Sequence, residues 1–328
     1  MSEPSPYFQV PTVDIGPYLS GTSSDAAAGV VEAIRQACTT SGFFQIVNHG
    51  ISKELQNSMR RAAKSLFALP LEEKTKLIHP TLTNRGYELI GSQVLQPDTL
   101  PDLKEPRGFC VGQHMDFDDE RVKKHPQLMG PNVFPPGLED HVLQLPAQQY
   151  HAEMIKLASR VLEMLAKGLP YGDDVFVPFM SGDPVCILRL LHYPPQTSSD
   201  KRQLGAGAHT DFGAITLLWQ DNCGGLEVQD GNTGQWLAVE PNPESYVVNI
   251  GDMLSFWTNN TYKSTVHRVL NRSEQDRYSM AFFVDGNTDV KLAPLDGSEP
   301  ATGKVMTAEE HMQYRIGQTY RKVAAPAS

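Results

Sequence analysis

The sequence predicts a mainly β protein with flanking helices, and two observations lead to that prediction. From about residue 184 the spacing of apolar residues changes from a helical period to a period of two, and a series of short apolar runs follows. Glycine, proline, asparagine and aspartate separate these runs at intervals of roughly 8–12 residues, which is typical of a β-sandwich or barrel. The last runs include "MLSFWTN" (residues 253–259), which we also expect to be a strand.

The part of the chain before residue 100 predicts an α/β lead-in to that β core. Its strand-like runs are residues 10–15 and 43–47, and its helical patterns are residues 23–42, 52–70 and 71–77. Ser24 or Asp25 is expected to cap the first helix, because their side chains can accept a bond from the first free amides. Gly42 is expected to end it, and Pro70 to end the second helix.

The middle and the end of the chain complete the predicted organisation. Residues 100–136 are rich in Pro, Gly, Asp and Lys and predict a loop, whereas residues 138–170 give the longest helical pattern, a helix over about 140–168. A capped helix and a loose tail are predicted at the C-terminus. We therefore expect a lead-in over 1–105, a β core over 106–300 and a helix with tail over 301–328, as one integrated unit.

Composition and charge exclude several classes of protein. The chain has 328 residues, of which 40% are apolar and 20% charged, and a net charge of −10. These values predict a globular protein without a nucleic-acid partner. No run of 18 apolar residues or signal-peptide pattern occurs, which predicts no membrane partner. Four scattered cysteines suit a reducing compartment, so we expect a cytoplasmic protein, with no evident protein partner.

A candidate metal site begins in "GAHTDFGAITLLWQD" (residues 207–221). His209 and Asp211 are two residues apart, so both side chains point to one face of a strand or strand end. His267 in "KSTVHRVLN" is the best candidate for a third ligand, because it lies on a later β-like run. Two histidines and one carboxylate on one side of an ion leave its other positions open, an arrangement associated with non-haem Fe(II) oxygenases.

Other interpretations of these histidines have to be weighed. A single histidine on an apolar strand is more often a hydrogen-bonded core residue than a ligand. A second His-x-Asp triplet, His114 to Asp116, lies in a loop-rich segment and predicts solvated surface. The same triad could also hold zinc in a hydrolase. The run "GAGAHT" resembles a nucleotide-binding fingerprint only loosely, since a β-run follows it where a helix is required.

A candidate anion site lies beyond His267. Arg277 and Ser279 in "DRYSMAFF" are again two residues apart, so alternation places them on one face of a strand. An arginine that points into a barrel is costly unless an anion meets it, and a carboxylate can accept two parallel bonds from it. Tyr193 in "LLHYP" could offer a further hydroxyl. A surface arginine in a salt bridge is the alternative.

These motifs together resemble the iron- and 2-oxoglutarate-dependent oxygenases. "HTDFGAITLLWQD", "TVHRV" and "DRYSMAFF" match the HxD…H…RxS pattern of that family. "VPTVDI" and "GFFQIVNHG" resemble the lead-in of the branch that includes isopenicillin N synthase, and "LRLLHYP" and "VVNIGDML" resemble fungal members such as the thymine hydroxylases. The resemblance extends over residues 10–285, and it implies a double-stranded β-helix, or jelly roll.

The resemblance also implies a function. His209, Asp211 and His267 would bind Fe(II), while Arg277 and Ser279, assisted by Tyr193, would bind the distal carboxylate of 2-oxoglutarate. The chain would then be a dioxygenase that uses O2, releases succinate and CO2, and is stimulated by ascorbate. Its substrate would be a small aromatic, heterocyclic or secondary-metabolite compound, with hydroxylation as the default and ring expansion, rearrangement or desaturation as alternatives. The remaining alternatives are an oxidase of this fold that does not consume 2-oxoglutarate and a non-catalytic metal-binding sensor.

One further arginine predicts a chemical property of the substrate. In "ILRLLHYP", Arg189 shares a strand face with Tyr193, so both residues face the cavity if either one does. An inward arginine that is separate from Arg277 needs its own anion or carbonyl partner. We therefore predict that Arg189 positions a substrate with a carboxylate, phenolate or polarised carbonyl. An internal salt bridge to the lead-in is the alternative.

Overall fold

The helices and strands follow the predicted order along most of the chain. A computed structural model describes residues 8–21, 23–79, 84–87, 108–195, 204–270, 274–300 and 303–321. The lead-in contains β1 (Thr12–Asp14), α1 (Gly16–Ser20), α2 (Ser24–Thr40), β2 (Phe43–Val47), α3 (Lys53–Phe67), α4 (Leu71–Thr75) and β3 (Gly86–Tyr87).

The β core and the C-terminal segment follow. Up to the central strands the elements are β4 (Phe109–Val111), α5 (Glu120–Lys124), α6 (Gln144–Lys167), α7 (Val177–Met180), β5 (Val185–Tyr193), β6 (Ala206–His209) and β7 (Ile215–Gln220). The next elements are β8 (Leu226–Gln229), β9 (Trp236–Ala238), β10 (Tyr246–Ile250), α8 (Asp252–Trp257), β11 (His267–Val269) and β12 (Arg277–Gly286). The chain then forms β13 (Lys291–Leu292), β14 (Met306–Thr307) and α9 (Ala308–Arg321).

Two sheets form the core. The large sheet has the strand order β1-β2-β10-β7-β12-β5-β4-β3, and the small sheet has the order β6-β11-β8-β9. One buried cluster joins side chains of the large sheet, such as Leu191 and Val247, to side chains of the small sheet, such as Leu226 and Val269. The sheets therefore pack face to face, and the jelly-roll prediction is confirmed.

Strict alternation divides the large sheet into two different faces. Along β5, Leu188 and Leu190 belong to the cluster that contains the buried side of α6. Their neighbours Ile187 and Arg189 line the cavity between the sheets. Every second residue of a strand points to the same side, so one strand builds both the core and the site.

Three local predictions were wrong. "MLSFWTN" contains the helix α8, not a strand; Gly251 turns the chain after β10, and a short apolar run cannot separate helix from strand by its period. The segment 100–136 is not all loop, since β4 pairs with β5 and α5 follows; residues 100–107 lie outside the described residues. Ser23, not Ser24 or Asp25, caps α2 by accepting a bond from the amide of Ala26.

The lead-in is joined to the core by sheet pairing. β2 pairs with β10, and β1 extends the same sheet. We therefore propose that lead-in and core form one catalytic unit. The proposed boundary at residues 105 and 106 and the predicted tail over 322–328 lie outside the described residues. Within the described ranges, no helix is both long and apolar enough to span a membrane, and all four cysteines are thiols.

Candidate active site

Strand pairing brings the three predicted metal ligands together. His209 is the last residue of β6 and His267 is the first residue of β11, and the two are paired across the small sheet. Their ring centres are 4.3 Å apart. Asp211 follows two residues after His209, where the chain leaves the strand. Although the histidines are distant in the sequence, the antiparallel register makes them neighbours.

The donor atoms of the three residues converge on one point. Nε2 of His209 and Nε2 of His267 each lie 3.7 Å from Oδ1 of Asp211. All three ligand atoms are within 4.8 Å of one another. Nδ1 of His209 donates to the carbonyl of Gly207 at 2.7 Å, and Nδ1 of His267 to that of Thr265 at 3.2 Å. A proton on Nδ1 leaves the Nε2 lone pair for a metal.

Asp211 is held so that a single oxygen faces the histidines. Thr216 Oγ1 donates to its Oδ2 at 2.6 Å and Asn249 Nδ2 donates to the same atom at 2.8 Å. Burial disfavours the charged form, but the imidazoles of His267 and His209 and these two hydrogen bonds outweigh it, so the pKa of Asp211 is lowered. The carboxylate is therefore ionised and its Oδ1 is available. Sequence reasoning missed Thr216 and Asn249, although each is a polar residue within an otherwise apolar strand.

The donor set fits Fe(II). Two imidazole nitrogens and one carboxylate oxygen form the ligand set of non-haem iron oxygenases, which leaves positions for co-substrate and O2. The 3.7 Å separations can be spanned by one ion with bonds of about 2.1 Å. The other His-x-Asp triplet has a different environment: the side chains of His114 and Asp116 are 50% and 82% exposed. That triplet is surface, as predicted.

A buried arginine lies further along the same cavity. Arg277 is 1% exposed and lines the cavity together with Ser279 and Tyr193. Its guanidinium donates to the carbonyl of Gly224 (2.6 Å) and to Gln220 Oε1 (3.1 Å), with Ser279 Oγ at 3.5 Å. Among the described residues no carboxylate pairs with it. A buried positive charge with only neutral partners fits an anionic ligand, and a dicarboxylate such as 2-oxoglutarate supplies one.

The family comparison agrees with this geometry. Residues 184–286 match the model of the "2OG-Fe(II) oxygenase superfamily", and residues 10–137 match that of the "non-haem dioxygenase in morphine synthesis N-terminal" region. A 2-oxoglutarate-dependent dioxygenase of Monascus ruber, citB, is 48% identical over 95% of this chain and 96% of that protein. The chain belongs to the 2OG-Fe(II) oxygenase superfamily. It is a dioxygenase that uses Fe(II) and 2-oxoglutarate, as the sequence predicted.

Further relatives extend the comparison. Clavatol oxidase claD of Penicillium crustosum is 42% identical over 96% of this chain and 98% of that protein. The thymine hydroxylase of Neurospora crassa, solved in complex with alpha-KG, has a TM-score of 0.81 and 28% identity over 98% of this chain and all of that chain. A second structure of the Neurospora enzyme also contains thymine, with the same score and identity over 95% and 97% of the two chains.

The substrate end of the oxygenase cavity combines apolar walls with a few polar groups. The cavity has a volume of about 240 Å³, which is below the roughly 300–1,000 Å³ typical of small-molecule sites. Its walls at this end include Ile187, Phe212, Phe283, Met312 and Ile316, and its polar groups there are Asn84, Arg189 and Asp285. Arg189 therefore faces the cavity, as its alternation with Tyr193 predicted. Sequence reasoning missed Asn84 and Asp285 as cavity residues.

The C-terminal helix of the oxygenase closes this end of the cavity. Met312 and Ile316 of α9 line the cavity. Arg315 of the same helix forms an ion pair with Asp252 and lies over the ring of Phe212 at 4.6 Å. Phe212 follows Asp211 directly, so α9 contacts the metal loop, which is the segment 210–214 between β6 and β7. β6 ends before Phe212, and this is why strand alternation does not turn its ring away from the cavity.

Proposed function

We propose that this dioxygenase oxidises a small aromatic or heterocyclic compound, with hydroxylation as the default outcome. The reaction consumes one 2-oxoglutarate and one O2, and it yields succinate, CO2 and the oxidised substrate. The observation that carries the proposal is one cavity lined by a two-histidine, one-carboxylate donor set, by a buried arginine without an acidic partner among the described residues, and by a separate apolar end.

We assign the iron to His209, Asp211 and His267. The carbonyls of Gly207 and Thr265 orient the imidazoles, and Thr216 with Asn249 orients the carboxylate. These hydrogen bonds orient the three donor atoms toward one another, as bonds to metal ligands do in metal sites. When bound, Fe(II) and 2-oxoglutarate supply the activation of O2, and the protein contributes position and the exclusion of water.

We assign the distal carboxylate of 2-oxoglutarate to Arg277 and Ser279. Tyr193 packs against this site, since the guanidinium of Arg277 lies 4.7 Å from the centre of its ring. The substrate then occupies the other end of the cavity, where Arg189 binds a carbonyl, phenolate or carboxylate group. The first compounds to test as substrates are thymine and clavatol. Thymine is present in one of the Neurospora structures, and the Penicillium relative is named clavatol oxidase.

The iron assignment is tested with His267→Ala. We expect succinate formation in the presence of Fe(II), 2-oxoglutarate and a substrate to fall to roughly one hundredth of the wild-type rate or less, because one of three ligands is lost. His114→Ala is the matched control, since it removes an exposed histidine from the other His-x-Asp triplet. Wild-type succinate formation by His267→Ala would rule out the assigned ligand, and a loss in His114→Ala would show that the assay reports something other than the metal site.

A further inference from the structure

Asp285 is a buried carboxylate that the proposed reaction leaves unused. It lies near the end of β12, is 8% exposed and lines the cavity. Among the described residues, no hydrogen bond or ion pair to its carboxylate is found. Its Oδ1 lies against Gly213, where an added Cβ would come within 2.3 Å of that oxygen. The group therefore lies next to the metal loop and reaches the cavity.

A group of this kind is costly unless a ligand binds it. Transfer of a carboxyl from water into a protein interior without a hydrogen bond is unfavourable in either protonation state. Burial and then the charge of Asp211 raise the pKa of Asp285 to about 7. A structural carboxylate would have partners, as Asp211 has in Thr216 and Asn249. Asp285 has the exposure of a core residue and an open side toward the cavity.

Arg189 lies at a different position along the same wall. It is paired with Ala281 across β5 and β12, whereas Asp285 lies four residues further along β12. At about 3.3 Å per residue this amounts to about 13 Å along the strand. Ile187 and Phe283, a cross-strand pair, face the cavity between them. The wall thus has a donor at one place, an acceptor at another and an apolar surface between the two.

We infer that Asp285 determines substrate specificity by accepting a hydrogen bond from a hydroxyl or N–H group of the substrate. The inference rests on the proposed function and narrows its substrate class. The substrate is an aromatic or heteroaromatic ring that lies against the apolar wall. It carries an acceptor group toward Arg189 and, at a separate position, a phenolic hydroxyl or ring N–H toward Asp285.

The test measures binding without turnover. Anaerobic wild-type protein loaded with Fe(II) and 2-oxoglutarate is titrated calorimetrically with hydroxybenzaldehydes and with the corresponding methoxybenzaldehydes, which retain the carbonyl and lack the donor. We expect at least one hydroxyl compound to bind about tenfold or more tightly than its ether, the range for a hydrogen bond to a charged or strongly polar group. A panel in which no hydroxyl compound binds more tightly than its ether would overturn the inference.

Variants then show whether Asp285 causes the preference for the hydroxyl compound over its ether. In Asp285→Leu the hydroxyl-to-ether ratio should fall to about one, and in the isosteric Asp285→Asn it should fall severalfold, because the amide can also donate to an ether. Asp289→Asn, which changes an exposed aspartate paired with Lys124, should keep the wild-type ratio. The affinity for 2-oxoglutarate should stay within about twofold in all three variants, which also shows that each variant is folded.

Two results separate this inference from the proposed function. If wild-type protein with Fe(II) fails to bind 2-oxoglutarate, both the proposed function and the inference are overturned. If 2-oxoglutarate binds normally and the hydroxyl-to-ether ratio is unchanged in Asp285→Leu, the inference alone fails. In that case water in the cavity, and not the substrate, satisfies the carboxylate.

Discussion

The two faces of the large sheet are built from the same strands, but one face is covered by the protein and the other needs bound ligands. On the face toward α6, alternate residues of β12 are Met280, Phe282 and Val284, and all three are buried in the apolar core. On the other face, β12 presents Arg277 and Ser279 at one end and Asp285 at the other. The first face is completed by the chain itself. The second contains buried polar groups that need ligands.

This difference separates stability from function along a single strand. Apolar burial contributes to the free energy of folding without any ligand. Buried charged groups without protein partners oppose folding, and they persist where binding requires them. A substitution on the helix side should therefore change the free energy of unfolding. A substitution of the neighbouring residue on the cavity side should change ligand binding. Neighbouring residues of β12 allow a direct test.

The largest effect is expected from a pair of phenylalanines. Phe282 is fully buried on the helix side and contacts the ring of His151 at 5.3 Å. Phe282→Ala should lower the free energy of unfolding by about 3–5 kcal/mol, through lost burial and the cavity left behind. Phe283→Ala, on the partly exposed cavity side, should cost less than half of that and should weaken substrate binding. Urea denaturation of the two variants measures the difference, and equal losses would contradict the separation of the two faces.

The second largest effect is expected from the two arginines on the cavity face. Arg277→Leu should weaken 2-oxoglutarate binding by about 2–5 kcal/mol, the range for loss of one partner of a buried charge pair. The unfolding free energy of the ligand-free protein should not fall, since the buried charge lacks an acidic partner among the described residues. Arg189→Ala should raise the substrate KM or abolish turnover with nearly unchanged affinity for 2-oxoglutarate. Anaerobic titration with 2-oxoglutarate in the presence of Fe(II) measures the 2-oxoglutarate affinity of both variants. An equal loss of this affinity in Arg277→Leu and Arg189→Ala would contradict the assigned roles.

The sequence predicted the cavity face best where the chemistry needs fixed residue types at fixed spacing. His209 and Asp211, and likewise Arg277 and Ser279, are two residues apart, and strand alternation places each pair on one side without further information. Arg189 was found by the same rule. Asp285 was not, because it comes at the end of an apolar run, where a carboxylate usually marks the turn that follows.

The remaining misses depend on tertiary packing. Met312 and Ile316 reach the cavity because α9 folds back over it, and no local pattern specifies where a terminal helix docks. α8 was mistaken for a strand because its apolar residues suit either element over so short a run. Asn249 lies in a strand beside β7, and only the pairing of β10 with β7 brings it to Asp211. Spacing within a strand can be read from the sequence, whereas contact between distant strands requires the fold.

The smallest effect is expected from a residue that touches the metal site without binding the metal. Thr216 on the cavity face donates to Asp211, and Thr233 in a distant turn donates in the same way to Asp230 at 3.0 Å. Thr216→Val should weaken Fe(II) binding by about 10–100-fold, because a ligand carboxylate loses a hydrogen bond that orients it. Thr233→Val removes an equivalent bond from a buried aspartate outside the site, so its Fe(II) affinity should match the wild type. Competition with a chelator measures both affinities. Equal Fe(II) affinities in the two variants would mean that the hydrogen bond from Thr216 stabilises the fold and does not prepare Asp211 for the metal. On this point the cavity face would then not differ from the helix face, whose side chains are also buried by the chain itself.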